Sequence, residues 1–218
     1  MNQDSIYIVG SGTSLKDFNF NSLADKDVIA VNKSIFYLPL AKYFVTMDYS
    51  FLTKIREKYK EFTEHKASKI FIVNFTKPYL QDVNGAIVDT RRNLIYHLRD
   101  FHTIIKSHKT DSFGLDFKDF RNGDNSGYCA LQFALLLNYK NIYLLGFDLQ
   151  CQKQTHFHDG YQHQNTTLFS KNLELYYNYF QSGLKYIQEI KPNINIYNCS
   201  KKSKLAHCLP YFDLTTIC

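Results

Sequence analysis

The chain has no tryptophan, only four prolines and two methionines, and no apolar run long enough to cross a bilayer. A membrane span needs about 20 consecutive apolar residues, and the longest runs here, Ala130 to Leu137 and Ile142 to Phe147, fall far short. Met1-Asn2-Gln3-Asp4-Ser5 lacks the basic and apolar regions of a secretory signal, because the first hydrophobic segment is a short strand that runs straight into glycines. A cytoplasmic location is therefore expected. Cysteine pairs are missing as well. Cys129, Cys151, Cys199, Cys208 and Cys218 are odd in number, widely spaced and without a Cys-x-x-Cys pair, which excludes a zinc ribbon and a disulfide framework and leaves free thiols. No Pro/Gly/Ser-rich linker, internal repeat or low-complexity tract divides the chain, so residues 1–218 are expected to form one domain.

What is present is a sequence of ordinary globular character, 44% hydrophobic, with 17 Tyr and 18 Phe to build a core and cleft walls from aromatic rings. The net charge of +6 comes from scattered lysines, the densest cluster being Lys201-Lys202-Ser203-Lys204. Such a balance suits an anionic small ligand, a membrane surface or nucleic acid. None of the usual nucleic-acid motifs appears, so nucleic acid is not favoured.

Short apolar runs rich in β-branched residues, each stopping at a polar residue or glycine, read as buried parallel strands. They are Ile6–Val9, Val28–Val31, Tyr43–Met47, Ile70–Asn74, Ile142–Leu145 and Ile194–Asn198. Helical patterns fall between them. One is weak, at residues 14–23; others run from Tyr49 to about Lys60, from Tyr128 to Leu137, and from about Leu168 to Ile190, before Pro192. The segment from Thr76 to Arg121 has little periodicity and is expected to be an irregular excursion or lid, with a helix around Leu94 to Lys106. Strands alternating with helices predict an α/β, Rossmann-like, doubly wound and mainly parallel sheet.

In such sheets ligands collect at the carboxyl ends of the strands, so the residues just beyond each strand are the candidate site. The first strand ends in Gly10-Ser11-Gly12-Thr13-Ser14, where glycines let amides approach an anion while hydroxyls and a following helix N-terminus add donors. Asn32 follows the second strand, Asp48 the third, Asn74 the fourth, Gly146 and Asp148 the fifth, and Asn198 and Ser200 the last. Asn125-Ser126-Gly127 heads the apolar helix as a cap or a second set of donors. Lys33 and Arg121 add positive charge near these turns. The loop Thr155 to His163 concentrates His156, His158, His163, Asp159 and Tyr161, suited to a general base or, less conventionally spaced, a metal. Asp148 suits a Mg²⁺ ion, a ribose hydroxyl or a loop cap.

The motifs Ile8 to Lys16, Val31-Asn32, Asn125 to Tyr128 and Asn138 to Asp148, in that order, resemble the bacterial sialyltransferases of glycosyltransferase family 42. They are similar as well to bacterial and phage proteins sharing a domain with archaeal 6-hydroxymethyl-dihydropterin pyrophosphokinases. The first resemblance implies a GT-A-like variant of the sheet and a transferase that moves a sugar, with inversion, from a CMP-sugar to a glycan or other hydroxyl acceptor, no cofactor being required. It places the nucleotide on Gly10, Ser11, Gly12, Ser14 and Asn32, with Asp48 beside them and Ser126 and Gly127 at the donor sugar and phosphate. It implies a histidine base in the loop after Gly146-x-Asp148, in the order His158, His163, His156, with Tyr161 near the departing phosphate. The chain has Gly123 where those enzymes carry an arginine, Arg121 standing nearby. The second resemblance implies a pyrophosphoryl transferase using ATP and Mg²⁺ near Asp148. Peripheral membrane contact and a homo-oligomer are compatible with either.

Overall fold

A computed structural model describes residues 4–52, 60–74, 77–84, 86–110, 112–150, 156–158 and 166–216. Its centre is an eight-stranded sheet built from β1 (Ser5–Val9), β2 (Val28–Val31), β3 (Tyr43–Thr46), β4 (Ser68–Asn74), β8 (Thr103–His108), β9 (Phe120–Arg121), β10 (Asn141–Leu145) and β11 (Asn195–Asn198). The spatial order is β11-β10-β1-β2-β3-β4-β8-β9, and each neighbouring pair runs parallel. The α/β class and the mainly parallel sheet read from the sequence are those found.

The strands read as continuous apolar runs because both faces of the sheet are covered. Side chains alternate across a strand, so Ile6 and Ile8 enter one core with Ile29, Val45 and Ile72, while Tyr7 and Val9 enter a second with Val28, Ala30 and Phe44. A short helix, α1 (Lys60–Glu64), closes the second core with the buried ring of Phe62. Helix α2 (Ser126–Leu136) lies in the first core and is buried at every position from Ser126 to Leu135. A helix apolar all round is a core helix, and this one has no polar face to show solvent. Helix α3 (Thr166–Ile190) covers it with a stripe of Leu173, Phe180, Leu184 and Ile187. Gly183 stands within α3 for a packing reason: a Cβ there would lie 2.6 Å from the Tyr128 hydroxyl.

Several local expectations change. The helix expected around Leu94 to Lys106 is instead two strands. Leu94–His97 forms β7 of a separate antiparallel sheet with β5 (Leu80–Val83) and β6 (Ala86–Asp89), and Thr103–His108 extends the main sheet as β8. The signal was a period of two: β8 alternates exposed Thr103 and Ile104, buried Ile105, exposed Lys106, buried Ser107. The weak helical pattern at 14–23 resolves into two tight 3-10 turns, Thr13–Leu15 and Phe20–Leu23. The pattern from Tyr49 yields the 3-10 turn Tyr49–Leu52, and 53–59 lie outside the described residues.

Candidate functional site

The chain climbs from β1 outward to β9 and then returns to place β10 on the other side of β1. The crevice where strand order reverses is the place ligands occupy in open α/β sheets, and a cleft of about 330 Å³ opens there. Its walls include Gly10, Ser11, Gly12, Asn32, Asp48, Asn125, Ser126, Gly127, Asp148 and His156. Those sequence candidates therefore converge from six separate segments.

The glycine-rich turn is built differently from its expected cradle. The amide of Gly10 donates to the Leu145 carbonyl at 2.8 Å and that of Gly12 to the Gly146 carbonyl at 2.9 Å. A Cβ on Gly10 would lie 2.8 Å from the Gly146 oxygen, and one on Gly12 would lie 2.6 Å from that oxygen and from the Asp148 carboxyl carbon. The glycines are small because the β1 and β10 turns touch, a reason independent of any ligand. Asp148, 5% exposed, accepts from the Ser14 amide at 2.9 Å, the Ser14 hydroxyl at 2.6 Å and the Thr13 hydroxyl at 3.3 Å. Thr13 and Ser14 thus serve Asp148, and the structure that follows is a three-residue turn without a helix dipole. Among the described residues, the amides of this turn left for an anion are those of Ser11 and Thr13.

Asn32 sits at the end of β2 with φ +54°, a left-handed conformation that asparagine tolerates better than most residues. Its carboxamide oxygen accepts from the Thr46 hydroxyl at 2.7 Å, and that hydroxyl accepts from the Asp48 amide at 3.0 Å. Asp48 in turn caps the next turn through the Ser50 amide at 2.9 Å. Fully buried Ser34 donates to the Val9 carbonyl at 2.8 Å and accepts from the Val31 amide at 2.9 Å, tying the ends of β1 and β2 together beneath Asn32.

Asn125 caps α2, its side chain accepting from the Tyr128 amide at 2.9 Å. The Ser126 hydroxyl accepts from the Met47 amide at 3.1 Å, which pins α2 to the end of β3. The Ser126 and Gly127 amides at the first turn face the cleft wall with the positive end of the helix dipole. Gly127 admits the ring of Phe147, 2.7 Å from where its Cβ would stand.

Of the loop histidines, His156 lines the cleft. Burial, with the charges of His158 and Lys33 adding, pushes its imidazole down to about 4, so it is neutral at physiological pH. His158 is 8% exposed and stacks between His156, at 5.6 Å, and Tyr37, at 5.8 Å, outside the cleft lining. The Phe157 amide donates to the Ser11 carbonyl at 3.1 Å and so fastens this loop to the glycine-rich turn. His163, Tyr161 and Asp159 lie outside the described residues. Arg121 is turned to Asp119, at 2.8 Å, and to Ser112, and does not line the cleft. Lys33 does not line it either; its part is the field it exerts on His156. Asn74 and Asn198 are buried away from the cleft, Asn198 closing a turn with Ser200. Among the described residues no three His, Cys, Asp or Glu side chains converge on a metal position.

No family model and no curated protein matches the chain. Solved structures do. The monofunctional α-2,3-sialyltransferase Cst-I from Campylobacter jejuni aligns with 96% of this chain and 80% of its own, at 20% identity and a TM-score of 0.55. The sialyltransferase CstII from Campylobacter jejuni, in complex with cytidine-5'-monophosphate, aligns with 97% of this chain and 86% of its own, at 19% identity and a TM-score of 0.55. The chain has the sialyltransferase fold.

Within that fold, sequence reading missed part of the cleft wall. Asp124, Gln150, Phe169, Leu173 and Tyr176 also line it. Phe169, Leu173 and Tyr176 share one stripe of α3, where helical spacing gave the signal, but nothing local tells which helix roofs a cleft. Asp124 (φ +54°) and Gly123 (φ +51°) form a left-handed turn that the adjacent Gly-Asp-Asn suggests. No lysine or arginine stands among the described lining residues.

Proposed function

We propose that the chain is a glycosyltransferase that moves a sugar from a nucleotide-activated donor, a CMP-sugar of the sialyltransferase kind, to a hydroxyl acceptor on a glycan. The observation that carries this reading is the cleft at the β1–β10 switch point, where two groups of backbone amides and a neutral imidazole converge in a fold shared with a CMP-bound sialyltransferase. The acceptor oxygen attacks the anomeric carbon and the bond from that carbon to the phosphate oxygen breaks. The electron pair leaves with CMP, and direct displacement inverts the centre.

His156 takes the acceptor proton. Its low pKa keeps the accepting form populated, and the anionic donor raises that pKa as it binds, which brings the imidazole toward the range where proton transfer is efficient. The amides of Ser11, Thr13, Ser126 and Gly127 stabilise the charge that grows on the leaving phosphate, and they need no reorganisation because packing already fixes both turns. Asn32, anchored by Thr46, orients the nucleotide. Asp148 holds the turn rather than a metal, its oxygens being engaged by Thr13 and Ser14.

A thermal-shift comparison of CMP, CDP, UDP, GDP and ATP, each with and without Mg²⁺, tests this reading, since a ligand of the native state raises the melting temperature. Selective stabilisation by CMP without metal is expected. Stabilisation by ATP with Mg²⁺ alone would replace it with the pyrophosphoryl-transfer reading.

A further inference from the structure

The small antiparallel sheet β5-β6-β7 has two unlike faces. Paired residues across an antiparallel ladder point to the same side, so Ile87 with Tyr96 and Leu80 with Asp89 form the inner face, packed on Leu52, Phe71 and Val73. The opposite face carries the rows Gln81-Val88-Ile95 and Val83-Ala86-His97. Its centre is apolar and faces solvent: Ile95 is 61% exposed and Val83 46%. Isolated apolar residues on a surface are unremarkable, but contiguous ones on an unpaired sheet face mark a contact.

The rim of this face is cationic. The β6–β7 turn carries Arg91 and Arg92, both exposed, and the chain leaving β7 carries Arg99. From residue 77 to 109, Lys77, Arg91, Arg92, Arg99, Lys106 and Lys109 face only Asp82, Asp89 and Asp100, so about half of the chain's net charge sits on this one-seventh of its length. Part of it is spent internally: Lys106 pairs with Asp82 at 3.5 Å, Arg92 approaches Asp89 at 3.9 Å and Lys109 pairs with Asp124 at 3.3 Å. Arg91 donates its backbone amide to the Asp89 carboxylate at 3.1 Å while its guanidinium lies over the Tyr79 ring at 4.1 Å, and among the described residues neither the Arg91 nor the Arg99 guanidinium forms an ion pair. Beside the apolar rows, His97, Leu98, Arg99 and Ile104 line an open hollow of about 380 Å³. An apolar plane edged by unpaired arginines matches a bilayer with anionic headgroups, where the plane meets the acyl boundary and the arginines meet phosphates.

We infer that the outer face of β5-β6-β7 docks the protein on an anionic lipid bilayer. The inference does not depend on the transfer reaction, because it concerns a different surface and is read without activity. The whole chain is to be sedimented with vesicles of phosphatidylcholine and with vesicles containing phosphatidylglycerol, at low and raised salt. Binding is expected on the phosphatidylglycerol vesicles and is expected to weaken with salt. Arg91→Gln with Arg99→Gln should weaken it about thirty-fold, from the usual contribution of each basic residue at an anionic surface. Val83→Ser with Ile95→Ser should weaken it at unchanged charge. All these positions are exposed, so unchanged circular dichroism and melting temperature certify the variants. Binding by neither vesicle, or equal binding by wild type and folded variants, overturns the inference. A concentration-dependent dimer abolished by Val83→Ser with Ile95→Ser also overturns it, making the face a contact between copies.

Discussion

The Ser14 hydroxyl donates to the Asp148 carboxylate at 2.6 Å, joining the turn after β1 to the turn after β10 across 134 positions of sequence. With the Ser14 amide and the Thr13 hydroxyl on the same carboxylate, this contact sets the shape of the glycine-rich turn from outside it.

Asp148→Ala should therefore leave the Thr13 and Ser14 donors without their buried acceptor and destabilise the fold by about 1.5–3 kcal/mol, since hydrogen bonds to charged groups are the stronger ones. Urea unfolding measures this. CMP affinity should fall in the same variant although Asp148 is not its ligand, and Asp148→Asn, which keeps one acceptor oxygen, should lie between wild type and alanine.

Gly12→Ala separates packing from ligand binding. The added carbon would meet the Gly146 carbonyl and the Asp148 carboxyl at 2.6 Å. The apo protein should lose on the order of 1–3 kcal/mol, as overpacked sites do. Unchanged apo stability with nucleotide binding lost would show instead that the glycine is there for the ligand.

His156 gives a pH dependence of definite sign. Its folded pKa, about 4, lies below the ordinary histidine value near 6.5. Between those values the unfolded chain binds the proton that the folded one refuses, so stability is full above the upper limit and declines as pH falls toward the lower. The slope from one such group approaches about 1.4 kcal/mol per pH unit. The difference between wild type and His156→Gln, taken from urea midpoints across this window, isolates it from His65, which burial lowers as well. In transfer assays His156→Ala should cost about 100-fold or more in kcat, the usual worth of a general base, whereas His158→Ala should act through the packing of Tyr37 and Phe157.

Asn32 combines a backbone and a side-chain role, and two substitutions divide them. Asn32→Ala keeps the positive φ at a cost of about 1 kcal/mol and removes the bond to Thr46. Asn32→Gly removes that bond without the strain. Glycine should be the more stable variant by about that amount, and calorimetry with CMP should show both equally weakened if the carboxamide contacts the nucleotide.

The cleft's lack of described lysines and arginines has a measurable consequence. Amide dipoles at short range are screened less than exposed countercharges. CMP affinity should change little between low and physiological salt, while binding to anionic vesicles should change strongly.

Read alone, the sequence determined the strands at Ile6–Val9, Val28–Val31 and Ile142–Leu145, the core helix after Asn125, and the parallel sheet they imply. Each of these is a local pattern: apolar residues at a fixed period, stopped by glycine, asparagine or a cap. It also marked Asn32, because polar residues after buried strands sit at the carboxyl edge, and Asn125 to Gly127 as a helix cap, while its order of histidines placed His156 behind His158 and His163. Three matters were decided only in three dimensions. The run Thr103–His108, expected to fall in a helix around Leu94 to Lys106, became a sheet strand because β4 offered it an edge. Gly10 and Gly12 proved to be required by the carbonyl of Gly146, a neighbour distant in sequence. His156 was distinguished from His158 by which imidazole the Phe157–Ser11 bond turns toward the cleft and which it leaves against Tyr37. Period and punctuation are properties of adjacent residues, but steric contact, burial and the shift they impose on a pKa belong to pairs the chain brings together only by folding.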